Sequence, residues 1–150
     1  MSAPEPIIRL AAKGDGVTAS GRHVPGAVPG DLIDAAGQVI PGPHRQVPPC
    51  EHFSSCGGCQ LQHVDEEALG AFVHDRVVHA ARAQGLEARE VLPVHLSPPG
   101  SRRRAALHGL RTAGGAVLGF RAAGSHRIVD LSACPVLDPA LARLIGPLRA

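Results

Sequence analysis

The stretch Cys50-Glu51-His52-Phe53-Ser54-Ser55-Cys56-Gly57-Gly58-Cys59-Gln60-Leu61-Gln62-His63 holds three of the four cysteines of the chain, and the fourth, Cys134, is remote. Thiols gathered this densely point to a bound centre. The opening residues MSAPEPIIRL carry neither a basic n-region nor an apolar h-region, so no secretory signal is visible and the expected compartment is the cytoplasm. Thiols stay reduced there, which disfavours structural disulfides and leaves zinc, an iron–sulfur cluster or a redox pair. Four thiolates complete either a tetrahedral zinc site or a 4Fe-4S cluster. Zinc ribbons normally use two short Cys-x2-4-Cys knuckles, whereas here three candidate ligands share one glycine-rich loop, a spacing that favours the cluster. Gly57 and Gly58 let the backbone wind tightly, so that amide groups can approach inorganic sulfide where a Cβ would crowd it. Pro135 after the remote cysteine echoes the Cys-Pro ending of some ferredoxin motifs. His52 and His63 flank the loop as possible zinc ligands, but with four cysteines present they read as hydrogen-bonding or exposed histidines. The βαβ setting of a Cys-x-x-Cys redox pair is missing.

Outward from the loop, the clearest element is a helix. Asp65 is a plausible N-cap, Glu66 and Glu67 suit the positive end of the helix dipole, and Val64 and Leu69 stand at the positions of a hydrophobic staple. Leu69, Phe72, Val73, Val77 and Ala80 follow helical spacing and are expected to face a core, with Gly85 as the stop. Asp75, Arg76, His79 and Arg82 are expected to point into solvent. Three later runs read as strands, about 103–111, 116–121 and 126–131, with turns at Gly114-Gly115 and Gly124-Ser125, and predict an antiparallel meander. Asp138-Pro139 predicts the start of a short helix through Ile145. Before the loop, short apolar pieces broken by Gly-Asp-Gly and Pro-Gly predict a small β unit whose prolines confine its strands to short or edge positions.

Composition narrows the function classes. The chain has 150 residues, three Phe and no Trp or Tyr, which nearly excludes a nucleic-acid surface built from rows of stacked aromatics. No apolar run approaches the roughly 18 residues of a membrane span. Charge is uneven: residues 1–48 balance to zero, residues 49–96 hold three Arg against seven acids, and residues 97–150 hold eight Arg against two Asp. The positive end could attract a polyanion that the middle would not. Two apparent motifs fail on context. Gly14-x-Gly16-x-x-Ala19 cannot open a dinucleotide-binding helix because Ser20, Gly21, Pro25 and Gly26 follow it, and Gly119-x4-Gly124-Ser125 lacks the P-loop lysine. Ser125, His126 and Asp130 are the ingredients of a hydrolase triad without evident triad geometry.

These residues together support a resemblance. The cysteine loop resembles the cluster-binding loop of the bacterial class I SAM-dependent RNA (uracil-C5)-methyltransferase family, whose members make 5-methyluridine in 23S rRNA and tRNA. Arg102-Arg103-Arg104-Ala105 resembles a basic strand of the family's central domain. The stretch from Gly119-Phe120-Arg121 through Ser125-His126-Arg127-Ile128-Val129-Asp130 to Cys134-Pro135-Val136-Leu137 resembles its closing hairpin. Lys13-Gly14-Asp15-Gly16 and Val24-Pro25-Gly26-Ala27-Val28-Pro29-Gly30-Asp31 are similar to the start of its small RNA-binding TRAM barrel.

The resemblance implies that Cys50, Cys56, Cys59 and Cys134 bind a 4Fe-4S cluster, zinc being the alternative, and that the partner is structured RNA, rRNA or tRNA. Arg102, Arg103, Arg104, Arg111, Arg121 and Arg127 would contact its phosphates. The expected fold class is α+β: a degenerate barrel-like β unit over residues 1–48, then a cluster-bearing domain over 49–150 with one long helix, a β-meander and a short C-terminal helix. Only about fourteen residues, 36–49, separate the barrel-like start from Cys50, too few to finish a five-stranded barrel of ordinary strands. The resemblance covers nearly all of this chain but only the front part of the enzyme. The S-adenosylmethionine-binding methyltransferase domain is expected on a downstream segment or a separate polypeptide, and no cysteine remains for the nucleophile that adds to uracil C6. A zinc-stapled nucleic-acid-binding module and a small iron–sulfur electron carrier are the competing functions.

Overall fold

The computed structural model describes residues 3–150. The chain divides into two compact units, Met1–Val47 with His63–Leu96, and Pro48–Gln62 with Ser97–Ala150. The cysteine loop therefore belongs with the C-terminal half of the sequence, and the helix that follows the loop belongs with the N-terminal β unit.

In the first unit, five strands form one antiparallel sheet: β1 Glu5–Leu10, β2 Gly16–Thr18, β3 His23–Val24, β4 Leu32–Ile33 and β5 Val39–Ile40, in the order β3-β2-β1-β4-β5. Four of them have only two or three residues, as the interspersed prolines and glycines dictate. The end strands β3 and β5 pair on one side only, so the sheet stays open. A register shift between Ile7 and Arg9 bends β1 across the middle, and Ile7, Ala27 and Ile33 form the buried cluster. Ladders this short leave much of the ordering to side chains. The Asp31 carboxylate is fully buried and accepts from the N–H of Val28 (2.8 Å), the N–H of Gly42 (2.8 Å) and the Arg45 guanidinium. Arg45 donates in turn to the Gly26 carbonyl (2.9 Å), so one acid joins the turn before β4 to the segment after β5. Burial alone pushes the Asp31 carboxyl up, but Arg45 and the two backbone donors outweigh it and hold the group below its usual value.

Helix α1 spans Glu66–Ala83. Asp65 caps it as expected, accepting from Ala68 N–H at 2.8 Å, and Gly85 ends it with φ +71°. The other Asp65 oxygen meets His44 Nδ1 at 2.9 Å. The expected apolar face is a correction: Ala68 is the helix's buried residue and Val77 is 63% exposed. The helix's buried contact with the sheet unit is at its first turn, beside the buried Val64, and its later turns line a groove against β1. Arg76 is exposed as expected, and it also donates to the Ala12 carbonyl at 3.0 Å and lies 5.6 Å from the Phe72 ring centre.

In the second unit, β6 His108–Thr112 and β7 Gly115–Gly119 form a hairpin in register from His108↔Gly119 to Thr112↔Gly115. The expected three-strand meander is reduced to these two strands. Residues 126–131 run beside β7 and its extension through Ala122 N–H to Arg127 O, Val129 N–H to Phe120 O and Leu131 N–H to Leu118 O, without forming a strand. The reason is a competing acceptor: the Asp130 side chain takes the N–H of Leu118 (3.0 Å) that a ladder carbonyl would otherwise use. The first strand also begins later than expected, since Arg102 makes one parallel bridge to Leu137 and residues 103–107 form none. Asp138 caps α2 Pro139–Ala142, which stops short of the expected Ile145, and a single helical turn, Pro147–Arg149, follows. Leu118, Leu131, Leu137 and Ile145 form the core. Among the described residues no helix is long and apolar enough to cross a membrane.

Replacing Asp31 by Ala leaves Arg45 and two amides without their acceptor, and urea unfolding should show a loss of roughly 3–5 kcal/mol. The acid limb of stability follows from Asp31 and Asp65, both held below the ordinary 3.8. Their contribution is complete above that value and is lost as pH falls through the lower folded values. Hydrogen bonding to Asp65 raises His44 above 6.5. That pair contributes fully below 6.5 and fades as pH rises through the raised value, so His44→Gln should flatten this upper limb in urea midpoints measured against pH.

Candidate metal centre and nucleic-acid interface

Successive turns shape the cysteine loop: Phe53 N–H bonds Cys50 O, and the N–H groups of Ser55 and Cys56 both reach His52 O, at 3.0 and 2.7 Å. The loop then docks on the end of the hairpin. Gly57 N–H donates to Arg121 O at 2.9 Å, and Cys56 bridges Ala122. A Cβ on Gly57 would stand 2.7 Å from that carbonyl, and one on Gly58 would stand 3.1 Å from the Phe120 ring. Gly57 is thus required by close approach to backbone, Gly58 has a tight but yielding neighbour in the Phe120 ring, and Gly58 N–H also faces Cys56 Sγ at 3.4 Å.

All four cysteines are free thiols, half-buried, and lie in the second unit. Cys56 and Cys134 pack on the same apolar cluster, so the loop and the remote segment share one wall. A direct tie joins them as well: His52 Nε2 meets Ser132 Oγ at 2.8 Å and Ser132 N–H at 3.2 Å, while the Ser132 hydroxyl donates to Glu51. Among the described residues no three His, Cys, Asp or Glu side chains stand close enough to hold one metal ion. A single tetrahedral ion needs all its sulfurs within about 2.3 Å of itself. In a 4Fe-4S cluster each thiolate takes its own iron, and the need is for soft donors, partly shielded, with N–H groups facing the sulfurs. The donor set meets the first two needs with four half-buried thiols and the third at Cys56, which Gly58 N–H faces. His52 proves to be a hydrogen-bonding residue. His63 is 6% exposed in the first unit, and burial, reinforced by the Arg45 charge, lowers its pKa.

Arg102, Arg103, Arg104, Arg111, Arg121 and Arg127 are all exposed. Among the described residues none of the six makes an ion pair, whereas Arg45 and Arg149 are held by Asp31 and Asp130. Three lie on the segment leading to β6, Arg111 lies within β6, and Arg121 and Arg127 flank the turn at Gly124. Arg102 reaches the Gly58 carbonyl only at 3.5 Å. The triad ingredients stay apart in role: Ser125 Oγ accepts from Arg127 N–H, and Asp130 holds Leu118 N–H and Arg149. Sequence reasoning missed the Asp31–Arg45 clamp and the Glu51–His52–Ser132 tie, since neither spacing nor residue type links partners so far apart. It also missed a groove of about 440 Å³ in the first unit, between β1 and α1, floored by Leu10, Ala68 and Phe72.

No family model matches the chain. Over 96% of its length it is 46% identical to an uncharacterised RNA methyltransferase of Zymomonas mobilis, covering 36% of that protein. Over 84% of its length it is 38% identical to a 23S rRNA uracil-C5 methyltransferase of Halomonas elongata, covering 29% of it. In structure it is similar to a tRNA (uracil-54, C5)-methyltransferase of Pyrococcus abyssi solved with S-adenosyl-L-homocysteine, with a TM-score of 0.59 and 28% identity over 97% of this chain and 35% of that one. The chain thus spans about a third of the length of the proteins it matches.

The docking geometry makes Gly57→Ala a sharp test. Its Cβ meets backbone that cannot swing aside, so the second unit should lose roughly 1–3 kcal/mol in urea unfolding. Gly114→Ala, at a turn where nothing lies within 4 Å of the new carbon, should lose much less.

Proposed function

We propose that this chain, a member of the RNA (uracil-C5)-methyltransferase family, is the RNA-engaging, cluster-bearing front part of an enzyme that methylates uridine C5 in rRNA or tRNA. The observation that carries the reading is the presence, in one unit, of four free thiols, two of them packed on the same apolar cluster, and a hairpin bearing exposed, unpaired arginines. The division of labour is residues 1–48 as a TRAM-like β unit and, within residues 49–150, the stretches 49–62 and 97–150 as the cluster-bearing part, the helix segment 63–96 grouping with the β unit. Cys50, Cys56, Cys59 and Cys134 would hold a 4Fe-4S cluster, which when bound supplies a covalent cross-link between the loop and the remote segment.

The arginines supply the RNA contact. Guanidinium groups without a carboxylate partner are available to phosphate oxygens, and they position folded RNA without reading its sequence. The exposed placement of Arg103 and Arg104 before β6, and of Arg111 on it, supports this use. Methyl transfer requires two parts beyond these residues: a site for S-adenosylmethionine, and a cysteine free to add to uracil C6 so that C5 becomes electron-rich. With four thiolates committed to the cluster, this chain contributes RNA binding and positioning, and the transfer belongs to a methyltransferase domain acting with it.

Anaerobic reconstitution with ferrous iron and sulfide should give a brown protein with broad absorbance near about 400 nm and about four irons per chain. One zinc and no iron after native purification would favour the zinc-stapled module. A cluster cycling reversibly at a physiological potential without RNA binding would favour the electron carrier. RNA affinity should fall steeply with salt, and Arg103→Ala should weaken binding to all sequences and reduce the log–log salt slope by about 1.

A further inference from the structure

Each half of the Glu51–His52–Ser132 tie lies two positions from a cysteine: His52 follows Cys50, and Ser132 precedes Cys134. Two residues of chain reach at most about 7 Å, so a bond between His52 and Ser132 limits how far the two cysteine-bearing segments can separate. The bond directions are mutually consistent. His52 Nε2 accepts from Ser132 N–H (3.2 Å), and the one Ser132 hydroxyl proton goes to the Glu51 carboxylate, so the 2.8 Å approach of Nε2 to Ser132 Oγ is a close contact and the His52–Ser132 hydrogen bond is the one to the amide. This is not a nucleophile relay. The carboxylate reaches the hydroxyl itself rather than the far side of the imidazole, and Nε2 already receives a backbone proton, so no base is left to activate the serine. The His52 side chain is 17% exposed, so the pair is partly sheltered, while Glu51 lies out in water at 68%.

We propose that His52 and Ser132, steadied by Glu51, form a clasp that holds the loop bearing Cys50 beside the segment bearing Cys134 and thereby sets how firmly a four-thiolate iron–sulfur centre is retained. This rests on the cluster reading above and adds to it two positioning residues that are not themselves ligands. Without the clasp, the loop would still dock through Gly57 and the shared apolar wall beneath Cys56 and Cys134. The Cys50 end of the loop would lose its tie to the remote segment. The clasp therefore acts on the rate of cluster loss rather than on the fold.

The test uses the 150-residue chain reconstituted anaerobically with ferrous iron and sulfide, following the decay of visible absorbance under a ferrous chelator. Ser132→Ala and His52→Ala should each lose the cluster about tenfold faster, in the range seen when groups that orient metal ligands are removed. His52→Gln, which keeps an acceptor for the Ser132 amide, should restore much of the lifetime, and Ser132→Thr, which keeps the hydroxyl, should stay near the parent rate. Urea midpoints of the iron-free proteins should coincide. If the parent chain takes up no iron, the cluster reading itself falls. If it takes up iron and the two alanine variants release it at the parent rate, the clasp alone falls. An accompanying drop in the iron-free urea midpoints, or no rescue by His52→Gln, likewise overturns the clasp by reducing it to general instability.

Discussion

The contact on which the second unit depends is the approach of the Gly57–Gly58 backbone to the end of the β6–β7 hairpin. Gly57 N–H reaches the Arg121 carbonyl, and any side chain at that position would press its Cβ to 2.7 Å from the same oxygen. The absence of side chains lets a loop with little regular structure behave as an extra edge of the hairpin. Cys56 is carried onto the Leu118–Leu131–Leu137–Ile145 cluster, where Cys134 already packs. Apolar packing brings two thiols to one wall, and hydrogen bonding does the same for the ends of their segments through His52 and Ser132.

The first unit solves a different problem. Strands of two residues cannot hold a sheet by ladder bonds alone, and the buried Asp31 carboxylate, satisfied by two amides and Arg45, gathers the turns that the strands leave loose. The cost of burying a charge is offset only because every donor is in place. Asp65 plays a lesser, similar part at the start of α1, where one carboxylate caps the helix and holds His44. Beyond this first turn the helix exposes apolar residues such as Val77, and a remaining tie to the sheet unit is the Arg76 guanidinium on the Ala12 carbonyl.

These two constructions leave the arginines free. Acids in the second unit are few, and Asp130 is occupied by Leu118 N–H and Arg149. The six arginines around the hairpin consequently meet no carboxylate among the described residues, and their charge is presented to solvent, where phosphate can compete for it. The distribution of charge seen along the chain thus becomes a surface property through the folding of residues 97–150 around one core.

Local signals were legible directly from the residues. Asp65 and Gly85 marked the ends of α1, Asp138-Pro139 marked the start of α2, and the glycine pairs marked the turns, because caps and turns depend on neighbours within a few positions. The cysteine spacing was likewise enough to identify a candidate centre and, with the basic and hairpin stretches, the family. The sequence alone did not determine which apolar residues of α1 would be buried, whether residues 126–131 would become a strand, or that the helix would group with the β unit. Those outcomes turn on long-range competition: Asp130 displacing a ladder carbonyl, Asp31 finding Arg45, and His52 meeting a serine eighty residues away. Periodicity and spacing measure separation along the chain, whereas these partners are chosen by proximity in space, and only the folded tertiary arrangement supplies that.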